Sequence, residues 1–177
     1  MLRKILVALD GSDHAAKALD LAISLAKPYA SELILLNVSA DKPASDEERR
    51  LAETEYRDEV QAALNGPAFT LGPRTVEANA SALVAMSSEV GLAVRRAIGR
   101  QVTVEAELKA RKQGINTLRI RVETGDPAAT IVSVAAAEKV DMLIMGSRGL
   151  GDIQGLLMGS VSHKVAHLAP CTVVTVK

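Results

Sequence analysis

The residues Ile5-Leu6-Val7-Ala8-Leu9 are apolar without interruption and stop abruptly at Asp10-Gly11-Ser12. A strand with one wet face alternates, whereas an unbroken short run reads as a strand buried on both faces. Such a strand needs helices above and below it, which narrows the fold before any other residue is considered. Leu33-Ile34-Leu35-Leu36-Asn37-Val38 is a second run of this kind, and Asp141-Met142-Leu143-Ile144-Met145 is another. Leu118-Arg119-Ile120-Arg121-Val122 alternates and predicts a strand with one wetter face. Thr172-Val173-Val174-Thr175-Val176 predicts a fifth strand.

Helical stretches lie between these runs. Ser12 or Asp13 can cap a helix in which Ala15, Ala18, Leu19, Ala22, Ile23 and Leu25 share a face, with Pro28 near its end. Asp126 at an N-cap and Pro127 behind it form a favourable helix start. Ser160 is expected to cap a last helix, stopped by Pro170. Between the second and third strands the chain is long. Ser45-Asp46-Glu47-Glu48 predicts the start of a charged helix. Thr75 to Gly114 reads as mostly helical, with Gly91 and Gly99 arguing against one unbroken rod and Gly114 suited to a C′ position. Alternating strands and helices with buried runs predict an α/β fold: a doubly wound, five-stranded parallel sheet with helices on both faces. The whole chain, 1–177, reads as one domain.

Composition removes several functions. Lys plus Arg equals Asp plus Glu at 21 each, giving no general attraction to nucleic acid or anionic membrane. Aromatics are 2% of the chain, too few for a base-stacking platform. Cys171 is the single cysteine, so neither an internal disulfide nor a cysteine metal cluster is available. The apolar run after Met1-Leu2-Arg3-Lys4 is too short for a signal peptide, and no run reaches membrane-spanning length. The expectation is a soluble cytoplasmic protein without membrane insertion.

The most informative stretch is Gly146-Ser147-Arg148-Gly149, nine residues, then Gly159-Ser160. Glycines let backbone N–H groups approach an anion without a Cβ in the way, and a helix start at Gly159-Ser160 favours phosphate. A Walker loop would need Lys before the Ser. Gly149-Leu150-Gly151 opens like a dinucleotide fingerprint, but its third glycine, Gly155, falls one residue late and the loop follows the fourth strand. His163 and His167 have the spacing of two zinc ligands but lack the Glu of a zinc protease motif; surface histidines are the simpler reading. Asp10 and Asp13 are near enough for paired carboxylates, yet Asp13 fits a helix start better.

With these motifs assembled, the chain resembles the universal stress protein family in its ATP-binding branch. The opening strand with its Asp-Gly-Ser turn, Gly125-Asp126-Pro127, the strand Asp141–Gly146 and the Gly-x2-Gly-x9-Gly-Ser loop carry the likeness. The resemblance implies a Rossmann-like fold of the adenine nucleotide alpha hydrolase-like type, and a site for ATP or another adenine nucleotide, with Mg²⁺ on the phosphates. It implies that Leu9 and Asp10 lie beside the adenine or ribose, that Val38 meets the adenine through its backbone, and that Gly125 borders the ribose and phosphates. Met145, Gly146, Arg148 and Gly149 would wrap the nucleotide, and Gly159, Ser160 and Val161 would hold its phosphates. One departure is an expanded helical segment, roughly 66–100, that can extend the core, form a lid or make a subunit contact.

The expected function is nucleotide-gated regulation in a stress response, with occupancy setting conformation or the affinity for a protein partner. The alternative is a slow ATP hydrolase or phosphoryl-transfer enzyme, but no convincing base stands beside the loop. The resemblance also implies a homodimer through the C-terminal strand. An apolar edge strand with no Pro or inward charge is a surface proteins normally cover.

Overall fold

In the computed structural model the described residues are 1–40, 89–149 and 158–177. Among these residues are five strands and four helices: β1 (Lys4–Ala8), α1 (Asp13–Tyr29), β2 (Glu32–Ser39), α2 (Glu89–Lys112), β3 (Leu118–Thr124), α3 (Pro127–Glu138), β4 (Met142–Gly146), α4 (Ser160–Leu168) and β5 (Thr172–Val176). The sheet is all parallel in the order β3-β2-β1-β4-β5. The unbroken apolar runs are the three central strands, and the wetter ones, β3 and β5, are the edges.

Burial on both faces follows from the period of the strands. Ile5, Val7, Leu9, Leu33, Leu35 and Ile144 meet α1 and α2 on one face. Leu6, Ala8, Ile34, Leu36, Leu143 and Met145 meet α3 and α4 on the other. Without bulky rings, the helices use alanines at the contact: Ala15, Ala18, Ala22 and Ala26 of α1, and Ala106 and Ala110 of α2. The chain winds outward from β1 to β3 over one face and returns through β4 to β5 over the other. Right-handed crossovers require the helices to change face when the direction of travel reverses. The reversal lies between β1 and β4, where their carboxyl ends part.

Helix ends follow the sequence with one correction. Ser12 is the N-cap of α1 and accepts from the Ala15 N–H; Asp126 caps α3 by accepting from Ala129, with Pro127 behind it. Gly159, rather than Ser160, is the N-cap of α4 and supplies no side-chain bond. The chain enters α4 in an extended conformation at Gly159, which puts Ser160 already inside the first turn. At the end of α2, Gly114 takes φ +91, and Gly114 and Ile115 donate to Arg111 and Ala110, closing that helix as predicted. Contrary to the expected break, α2 runs unbroken through Gly91 and Gly99. Gly99 is there for proximity: a Cβ would overlap Oδ1 of Asn37 on β2. The predicted charged helix after Ser45 and residues 66–88 of the expanded segment lie outside the described residues; residues 89–100 of that segment are the first half of α2.

Candidate functional site at the carboxyl edge of the sheet

At the end of β1 the chain must leave the sheet beneath α1. Asp10 turns back on itself there: its Oδ1 accepts from the Ser12 N–H at 3.0 Å and from Ser12 Oγ at 2.7 Å. Gly11, at φ +89, makes that reversal possible. The second oxygen of Asp10 faces Gly149, where a Cβ would lie 2.5 Å from Oδ2. The carboxylate is thus oriented by Ser12 and seated against bare backbone of the glycine loop.

The loop leaves β4 at an equally close crossing. A Cβ on Gly146 would come 2.8 Å from the His14 Cβ and 2.9 Å from the Arg148 carbonyl oxygen. Ser147 then ties three elements together. Its N–H donates to the Val176 carbonyl at 2.7 Å, and its carbonyl accepts from the Gly159 N–H at 2.8 Å and from Ser162 Oγ at 2.6 Å. Its own hydroxyl lies 3.4 Å from His14 Nδ1. These bonds bring the two ends of the glycine pattern together, although residues 150–157 between them lie outside the described residues. Because Gly159 brings no capping side chain, the first-turn N–H groups of α4 lack the side-chain partner that Ser12 and Asp126 supply to α1 and α3.

The predicted residues fall in one row along the carboxyl edge. Gly125 follows β3, at φ +142, and donates to the Ser39 carbonyl at 3.1 Å. Val38 ends β2, half-buried on the α3 side. Leu9 and Asp10 end β1, and Met145 and Gly146 end β4. Arg148 is half-buried, Gly149 and Ser160 are exposed, and Val161 packs against the α3–α4 cluster. His163 and His167 are exposed on α4, and Asp13 stands in the first turn of α1. Cys171 is half-buried; burial pushes its thiol pKa up, and the charge of Asp141 adds to this.

Residues that sequence reasoning passed over are Ser147 and Asn37. Asn37 is buried and its Nδ2 donates to the Leu9 carbonyl at 2.8 Å, holding the strand end from which Asp10 departs. It was visible as the single polar side chain inside an apolar run. Ser147 carries no such signal, because its partners are remote in the chain.

A parallel sheet of order 3-2-1-4-5 with a glycine loop at its switch point defines a doubly wound α/β protein of the kind that binds ligands at its carboxyl edge. The model of the universal stress protein family matches residues 1–177, and the chain belongs to that family. It is 30% identical to the universal stress protein YxiE of Bacillus subtilis over 177 residues, covering 100% of both chains. Among solved structures it is similar to a universal stress protein in complex with cAMP, at a TM-score of 0.61 and 24% identity over 99% of this chain and 97% of that one. It is also similar to a universal stress protein family protein from Arabidopsis thaliana with AMP bound, at a TM-score of 0.60 and 20% identity over 99% and 91%.

Proposed function

We propose that this protein binds an adenine nucleotide, ATP with Mg²⁺ above others, and that occupancy sets its conformation or its affinity for a partner. The observation that carries this reading is the joining of Gly146–Gly149 to Gly159 through Ser147, with the uncapped start of α4 and the Asp10 carboxylate on either side. Backbone N–H groups at the helix start suit phosphate, and a carboxylate suits a ribose hydroxyl. The complexes of two similar proteins with cAMP and AMP support the adenine part of the reading. Among the described residues no group of three or more His, Cys, Asp or Glu side chains could hold a metal, so Mg²⁺ would ride on the phosphates. Calorimetric titration with ATP, AMP and cAMP tests the proposal; no heat of binding at millimolar nucleotide overturns it.

We also propose a homodimer through β5. This strand is an edge of the sheet and carries Val173, Val174 and Val176 only partly buried, a surface suited to pairing across a two-fold axis. Val174→Pro removes a ladder N–H. Sedimentation is expected to give a dimer, or a multiple of one, for the wild type and a smaller species for the variant. A monomeric wild type at tens of micromolar overturns it.

A further inference from the structure

The helix α2 carries a charge into a place where no described residue answers it. Arg95 is 7% exposed, and its Nε and Nη1 have no hydrogen-bond partner. Ser39, at the end of β2, is 4% exposed, and its Oγ is equally bare. Among the described residues, no ion pair includes Arg95; of the acidic groups near this end, Asp10 bonds Ser12 through Oδ1, Glu123 pairs with Arg121 and Asp126 caps α3.

Backbone geometry brings the two bare groups to the same end of the β2–α2 contact. Asn37 and Ser39 are two apart on β2, so both point to the face that Leu33 and Leu35 share with α1 and α2. Gly99 of α2 rests against the Asn37 side chain. Arg95 lies four residues before Gly99 on the same face, about 6 Å along the helix. Ser39 lies two residues beyond Asn37, about 6.6 Å along the strand. Because α2 runs opposite to β2, both displacements lead to the carboxyl edge. Arg96 fixes the height of the helix there, its Nε donating at 2.9 Å to Oγ1 of Thr124, the register partner of Ser39.

Buried donors without partners are costly, and a bound oxyanion is one arrangement that would satisfy them. Guanidinium with a neighbouring hydroxyl is a donor set for the oxygens of a phosphate. We infer that Arg95 and Ser39 form a second oxyanion subsite, for a phosphate group, at the β2–β3 end of the carboxyl edge. It lies two strands from β4, about 10 Å from the glycine loop, and does not rest on the nucleotide reading of that loop. The phosphate is either free or carried by a larger ligand.

The test is thermal unfolding of the full chain against inorganic phosphate, with chloride at matched ionic strength as reference. A specific site adds a saturable rise in Tm above the linear salting effect. The wild type is expected to show this rise, and Gly149→Val, altered in the other loop, to keep it. Arg95→Met is expected to lose it and to be no less stable than the wild type without phosphate, because the unpartnered buried donors are gone. Ser39→Ala, a small change that preserves the fold, is expected to raise the half-saturating phosphate concentration several-fold. Absence of a saturable rise in the wild type overturns the proposal, as does an Arg95→Met protein that retains it. Competition of ATP with phosphate for the rise assigns the subsite to a nucleotide phosphoryl group; additive rises assign it to free phosphate.

Discussion

The two ends of the sheet are built on opposite principles. At the amino end polar groups are answered locally. The Asp141 carboxylate accepts from the backbone N–H groups of Arg3 and Lys4 at 2.7 and 2.8 Å. Ser31 Oγ donates to the Leu2 carbonyl, and Arg119 and Arg121 share Glu138. α1, α2 and α3 close there with positive-φ residues whose N–H groups return to the last turn, at Ala30, Gly114 and Lys139. At the carboxyl end the backbone is bare of side chains at Gly146 and Gly149, α4 starts without a side-chain cap, and Arg95 Nε and Nη1 and Ser39 Oγ have no partner among the described residues. Satisfied groups stabilise a fold, whereas unpartnered polar groups leave bonding capacity that a ligand can use. The carboxyl end also holds satisfied groups, at Asp10, Asn37 and Ser147, and its open backbone is where the proposed nucleotide would bind.

The largest test of that division is Gly149→Val. Its Cβ would strike Asp10 Oδ2, so ATP affinity is expected to fall by about a hundredfold or more, roughly 2.7 kcal/mol, with a nearly unchanged melting curve. Equal losses of affinity and stability would erase the distinction between the two ends. Asn37→Ala probes the seam between them. It leaves the Leu9 carbonyl without its donor, and a stability loss of about 2 kcal/mol is expected in denaturant titration, together with weaker nucleotide binding. A loss in only one of the two would place Asn37 wholly in the core or wholly in the site.

Smaller effects belong to the amino end. Lys139 adopts φ +53 at the end of α3, a conformation that costs a residue with a Cβ about 1 kcal/mol. Lys139→Gly is expected to raise Tm by about 2–4 °C with ATP affinity unchanged, as measured by calorimetry on both properties. The smallest effect concerns pH. Backbone N–H groups of Lys4 and Arg3 hold the Asp141 carboxyl below its usual pKa. A depressed carboxyl contributes stability above its unfolded value, about 3.9, and loses it as pH falls through the lower folded value. Asp141→Asn is therefore expected to be less stable than the wild type at neutral pH, the two converging in acid. A constant gap across the acid range would show that the charge of Asp141 is not what matters.

How much of this was legible beforehand differs by residue. The central strands were, because burial on both faces leaves an unbroken apolar run. The starts of α1 and α3 were, because Ser12 and Asp126-Pro127 act on N–H groups within three residues. The carboxyl-edge row was legible through its glycines and Asp10. The cap of α4 was misread by one position, since Gly and Ser both suit an N-cap and only the path of the chain out of Ser147 selects Gly159.

The sequence by itself determined the element types, the two-faced burial and the glycine spacing, because each depends on period or on near neighbours. It could not determine that Ser147 joins Val176 to Gly159, that Asn37 supports Leu9 from the adjacent strand, or that helix direction carries Arg95 and Ser39 to the same edge. Those pairings join residues 12 to 56 positions apart, and their side-chain types are unremarkable in isolation. They became specific only when strand order and helix direction brought them to the same edge of the sheet.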